Sequence, residues 1–338
     1  MTELSIRWKE DLEKLYEVDN PNDIQSLEFF GPESTDIPYE ILKFSNLKKL
    51  SISFTKASNI AEILTGFGNL EELYIFDKLE TFPISICELK SLKKLRISGN
   101  YFTIPEEIGE LLNLELLHLY GDNFKIIPRT IVNLSKLNEI IINGNGIEKL
   151  PEEIGKLIAL ERFSIGSEKL TYLPDSFRNL RKLKKINLDS DPMDYIKLQI
   201  RILPEYFKEF HSLEFFSANS LNFNDINSYL KSWINLNHLS IVDCGLSEFP
   251  SMLRSLKNMM HLTLSQNKIG EIPIWISELK HLNFMDLSSN NIKDLPMNQI
   301  HSLELLNTLV LYENPFSSDK KKKFAVKLKD KIYNRIFD

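Results

Sequence analysis

The chain has 338 residues, 43% apolar and 26% charged, a composition ordinary for a globular protein, and polar residues break every apolar stretch before it could cross a membrane. A net charge of −6 gives no general attraction to nucleic acid or anionic lipid. Two cysteines far apart, Cys87 and Cys244, supply neither a disulfide framework nor metal-ligand spacing.

At the start, Leu4, Trp8, Leu12 and Leu15 fall at helix-like intervals, with Lys9, Glu10, Asp11 and Glu13 on the remaining face. This predicts a capping helix within an N-terminal cap of residues 1–23. The same stretch carries acidic residues where an export signal needs a basic run and an apolar core, so the expected location is cytoplasmic. Export would require a signal removed beforehand or a non-classical route.

From residue 24 one pattern recurs about every 23 residues, with thirteen starts running from Ile24 to Leu306. In Leu160-Glu-Arg-Phe163-Ser-Ile165 the fourth and sixth residues point to one side of a short strand, because strand side chains alternate faces. The ninth position often carries Asn, whose amide both donates and accepts hydrogen bonds to turn backbone: Asn100, Asn145, Asn267, Asn290 and Asn314. Cys244 occupies the same column, as do Asp122, Glu168 and Asp191, whose carboxylates only accept. A proline follows the fourteenth position in ten coils, for example Pro151 and Pro273, and suits the start of an outer arc. There, apolar residues three apart, such as Ile154 and Leu157, predict one short helical turn.

The motif L-x-x-L-x-L-x-x-N/C-x-L resembles the leucine-rich repeat family over residues 24–316, and the added L-P-x-x-I-x-x-L segment is similar to its bacterial and intracellular Ras-suppressor-type members. The resemblance implies an α/β solenoid, a horseshoe of about 13 coils. A parallel sheet would line its concave face, with short helical or 3-10 turns on the convex face and helical caps at both ends.

The eighth coil, Leu183 to Leu213, is 30 residues long, which places an insertion at about 194–202, where partner-specific features can project. Asp189, Asp191 and Asp194 precede it, but a calcium loop would need a Gly and a closing acid where Ile200 stands. After Asn314-Pro315, a C-terminal cap of residues 317–338 is expected to hold a helix from Asp319 to Ile336, with Phe324, Leu328 and Ile332 in line. Lys320–Lys323 reads as the solvated face of that helix.

No nucleophile motif, zinc-protease helix or phosphate-cradling glycine loop occurs, so neither catalysis nor a cofactor is expected. The outward strand positions are the ones the core leaves free. Phe30, Tyr74, Phe76, Arg96, His118 and Tyr120 fall on them in the first five coils, the makings of a solvent-facing protein-binding patch. A second cluster, Phe215, His238, His261 and Phe284, occupies position three of later coils, and its histidines stand on adjacent strands, where a shared metal would still lack a third ligand. These residues predict a non-catalytic scaffold with a protein partner on the concave face. The alternative is a module for a glycan, lipid or other small ligand, with a metal at His238/His261; self-association is a further possibility.

Overall fold

The computed structural model describes residues 3–7, 11–31, 36–53, 57–100, 103–121, 123, 125–144, 146–189, 199–223 and 225–328. Its fourteen strands follow one another in chain order. Contacts divide the chain into two compact units, Met1–Leu180 and Arg181–Asp338. The first holds β1 (Glu3–Arg7), β2 (Ser26–Phe30), β3 (Lys49–Ser53), β4 (Glu72–Leu79), β5 (Lys94–Gly99), β6 (Leu116–Tyr120), β7 (Glu139–Asn143) and β8 (Arg162–Gly166). The second holds β9 (Lys185–Asn187), β10 (Phe215–Asn219), β11 (His238–Val242), β12 (His261–Thr263), β13 (Phe284–Asp286) and β14 (Thr308–Val310).

Within each unit the strands pair in parallel between equivalent positions of successive coils, with a register shift in the β4–β5 pair between Phe76 and Leu79. Leu50 pairs with Leu73 and Leu73 with Leu95, while Ile52 pairs with Ile75 and Ile75 with Ile97. All six are fully buried, so each strand adds two side chains to columns of core. Burying one such side chain contributes about 1.5–3 kcal/mol.

The prolines behave as their position predicts. Each has lost its own N–H, but its carbonyl accepts the amide three residues on: Pro83 from Ile86 at 3.0 Å, Pro105 from Ile108 at 3.1 Å, Pro174 from Phe177 at 2.9 Å. The result is a 3-10 turn, as at Ile84–Glu88, Glu106–Glu110 and Asp175–Asn179. The arcs after β3 and β10 lack the proline and form short α-helices, Ile60–Leu64 and Ile226–Leu230, but the proline does not decide this alone, since Met297–His301 directly after Pro296 is α-helical too. Gly155 is required where it stands, because a Cβ there would run into the Ser176 carbonyl oxygen of the next arc.

The turn column differs between the units. In the second, Asn290 Nδ2 donates to the carbonyls of Leu264 (2.9 Å), Leu287 (3.1 Å) and Ser288 (3.1 Å), while its Oδ1 accepts from Ile269 N at 3.0 Å. Asn267 and Asn314 repeat the pattern, and buried Cys244 joins it with Sγ 3.2 Å from Val242 O. The residue before each ladder position, from Ser220 through Asp243, Gln266 and Ser289 to Glu313, has a positive φ of 53–57°. Such left-handed corners disfavour side chains, so the ladder holds them in place. In the first unit Asn100 is exposed and, among the described residues, bonds through its backbone N–H to Leu79 O at 2.7 Å. Glu168 is exposed too; buried Ser167 takes the column instead, donating to Ile147 O at 2.6 Å. Asn145, Asp122 and Asp191 lie outside the described residues.

At the N-terminal end the expected helix over residues 4–18 is a strand and a single turn. β1 pairs in parallel with β2, burying Leu4 and Ile6 by period-two alternation, and among the described residues of this stretch Glu13–Tyr16 alone is helical, with Leu15 buried. This strand raises the number of coils from the expected thirteen to fourteen. At the other end Ser318–Leu328 is helical and buries Phe324 and Leu328, while Lys320 bonds Asp294 at 2.8 Å. Ile332 and the rest of the expected helix fall outside the described residues, as do residues 194–198 of the insertion.

Candidate functional site

The register brings the first-unit residues into two rows on the outward sheet face. Tyr74, Arg96 and His118 are direct neighbours on β4, β5 and β6. Phe30, Ser53, Phe76, Ser98 and Tyr120 form the adjacent row on β2–β6. Phe30 and Phe76 are 38% and 40% exposed and flank a Ser53 that is only 5% exposed. Tyr74 is half-buried; its hydroxyl donates to Glu72 at 2.8 Å, and the Arg96 guanidinium lies 5.3 Å from its ring centre. Burial, and then the Glu72 carboxylate, push the Tyr74 phenol up to about 12.

Around these aromatics lie ion pairs that sequence reading passed over: Lys94–Glu72 between position-three residues at 2.7 Å, and Lys49 of position three with Glu28 of position five at 3.4 Å. The alternation Lys49, Glu72, Lys94 down one column was the available signal. Arg96 is different. No ion pair or hydrogen bond reaches it among the described residues, and its Nε is buried without a partner.

His118, expected to face solvent, is only 4% exposed. Its Nε2 lies 2.9 Å from Glu139 Oε1, and its ring packs edge-on to Tyr120 at 6.2 Å. Arg162 Nε donates to the other Glu139 oxygen at 2.7 Å. The His118 hydrogen bond above all, helped by Arg162, overcomes burial and holds the Glu139 carboxyl down at about 2. This trio locks one end of the patch.

In the second unit, Phe215, His238, His261 and Phe284 form a ladder of half-buried stacked rings, with centres 4.1, 5.0 and 5.9 Å apart in chain order and Lys185 over the far face of Phe215 at 4.3 Å. Imidazole lone pairs lie in the ring plane, so two rings stacked face to face do not converge on one ion. Among the described residues no group of three or more His, Cys, Asp or Glu is placed to hold a metal. Burial first, then His261 and Lys185, lower His238 to about 4.

Asp189 sits at position seven of the same unit. Burial pushes it up to about 7 against hydrogen bonds from Ser217 and the Asn219 backbone. No described helix is long and apolar enough to cross a membrane.

In-phase parallel coils with a core renewed at each turn define a solenoid repeat protein. Leucine-rich repeat families match residues 135–193 and 91–111. Over those residues the chain matches the leucine-rich repeat family, and its fold is that of a leucine-rich repeat solenoid. It is 29% identical over 130 residues to the TMV resistance protein N of Nicotiana glutinosa, a match covering 36% of this chain and only 11% of that protein. Among solved structures it is similar to a leucine-rich repeat protein of Leptospira interrogans, with a TM-score of 0.71 and 22% identity over 99% of this chain and 100% of the other. It also resembles the Toll–Spätzle complex of Drosophila, with a TM-score of 0.61 and 19% identity over 92% of this chain and 45% of that one. At these identities the likeness is one of fold.

Proposed function

We propose that this protein is a non-catalytic scaffold that holds a protein partner on the concave face of its first unit, over β2–β6. The observation that carries the reading is the exposure of Phe30 and Phe76, at 38% and 40%, on a sheet face whose core contacts do not call for them. Neighbouring coils place serine in the same row, at Ser53 and Ser98, without loss of register. The ring ladder of the second unit spends its faces on itself and offers a partner mainly ring edges, which favours the first unit as the contact surface. A leucine-rich repeat fold serving in the Toll–Spätzle complex supports protein binding as the general role. Two buried free thiols, Cys87 and Cys244, support a reducing, cytoplasmic setting.

The test is affinity capture with mass spectrometry, comparing wild type with a Tyr74→Ser/Phe76→Ser/Tyr120→Ser variant. Partners present only with wild type are the expected result. Identical partner sets would defeat the assignment of this face.

A further inference from the structure

Among the described side chains, the outward positions of β2–β8 carry three carboxylates, Glu28, Glu72 and Glu139, and four permanent cations, Lys49, Lys94, Arg96 and Arg162. Lys49 pairs with Glu28, Lys94 with Glu72 and Arg162 with Glu139. The charge left over is Arg96, the residue whose Nε lacks an acceptor. A guanidinium held over Tyr74 presents a planar fork matched to a carboxylate, which it binds through two parallel hydrogen bonds.

The neighbouring row adds shape. Ser53 lies between Phe30 and Phe76, and Ser98 between Phe76 and Tyr120, so two notches with serine floors sit two strands apart. Strands are roughly 4.8 Å apart, giving a notch spacing of about 9.6 Å. A polyproline II segment projects every third side chain in the same direction, about 9.3 Å apart. The second notch and Arg96 share β5. One surplus positive charge calls for one negative charge, which a carboxylate supplies and a phosphate exceeds.

We infer that Arg96 anchors a carboxylate on an extended polypeptide segment laid across β2–β6, whose apolar side chains three residues apart fill the notches at Ser53 and Ser98. This rests on the concave-face reading and gives its partner a chemistry: an acidic residue directly after the second of two apolar ones, in a proline-rich extended stretch.

The experiment is fluorescence anisotropy of the full chain with dye-labelled Pro-Leu-Pro-Pro-Leu-Glu-Pro-Pro and with two otherwise identical peptides carrying glutamine or phosphoserine in place of glutamate. The glutamate peptide is expected to bind about tenfold or more tighter than the glutamine one, the range for a hydrogen bond to a charged group. Arg96→Gln should abolish that preference, Arg96→Lys should reduce it, and the loop variant Lys169→Gln should leave it intact. Equal binding of the glutamate and glutamine peptides, a preference surviving Arg96→Gln, tighter binding of the phosphoserine peptide, or no binding to wild type would each overturn the inference. The concave-face reading is judged separately, by the capture experiment with the triple serine variant.

Discussion

The two units use the same coil and spend their polar chemistry on opposite sides of it. In the second, order lies in the turns: Asn267, Asn290 and Asn314 bind four or five backbone groups each, and the left-handed corners stay in line beside them. In the first, the turn column is irregular and the order lies on the sheet face, where charge pairs and the His118–Glu139–Arg162 trio surround exposed rings. A solenoid needs its coils tied together somewhere. Tying them at the turn leaves the face free to pack against itself, whereas tying them on the face leaves particular side chains, Arg96 among them, available to a partner.

The strongest test of this contrast is Asn290→Ala. It removes four hydrogen bonds in a buried turn and leaves the Ile269 N–H without its acceptor, while the Leu264, Leu287 and Ser288 carbonyls keep donors from Asn267, Asn314 and Gln266, at a cost of about 2–3 kcal/mol. Asn100→Ala, at an exposed position of the same column, should change stability by less than about 0.5 kcal/mol. Chemical denaturation of both variants measures the difference, and similar losses would erase the distinction between the turns.

Acid should separate the units next. His238 is held at about 4, below its ordinary value of 6.5, so the unfolded chain takes up that proton first and stability falls as pH drops from about 6.5 towards 4. Glu139 is held at about 2 against 4.5, so its contribution is present above pH 4.5 and is lost between about 4.5 and 2. Asp189, pushed up to about 7, works in the opposite sense to His238, destabilising the fold as pH rises from about 4 to 7. The useful quantity is therefore the difference between wild type and a variant. His238→Phe should recover about 2–3 kcal/mol at pH 4, and Glu139→Gln should flatten only the limb below pH 4.5. Denaturation series across pH 2–8 check both; coincident windows would contradict the assignment.

The smallest effect is expected at the left-handed corners. Gln266, with φ 56°, should gain about 0.5–1 kcal/mol on replacement by glycine, which adopts that conformation without steric cost. A loss in thermal stability would show that the Gln266 side chain has a contact that matters more than backbone strain.

Period and position made most of the fold legible in advance: the paired core columns, the proline arcs and the buried Cys244 all depend on residues within one coil. The misses depend on neighbours. Leu4-Ser-Ile6 offers only two alternating apolar residues, too few to outweigh a helical pattern until β2 is there to pair with it. The burial of His118 depends on Glu139 and Tyr120, one of them a coil away. Ser167 displaces Glu168 because a hydroxyl can donate and a carboxylate cannot. Among the candidate residues, the Tyr74–Arg96 neighbourhood was readable from the row alone, whereas the surplus of one cation became visible only when the other described charges of this face had been paired.

The one-to-one register has a mechanical consequence. Partners such as Leu50 and Leu73 or Leu239 and Leu262 lie only one coil apart in the chain, so nothing in a ladder has to wait for a distant segment to arrive. Folding within a unit can therefore begin at several coils and spread to neighbours. Under tension the same design should come apart in coil-sized steps, so a partner bridging β2–β6 would act as a clasp across five successive steps.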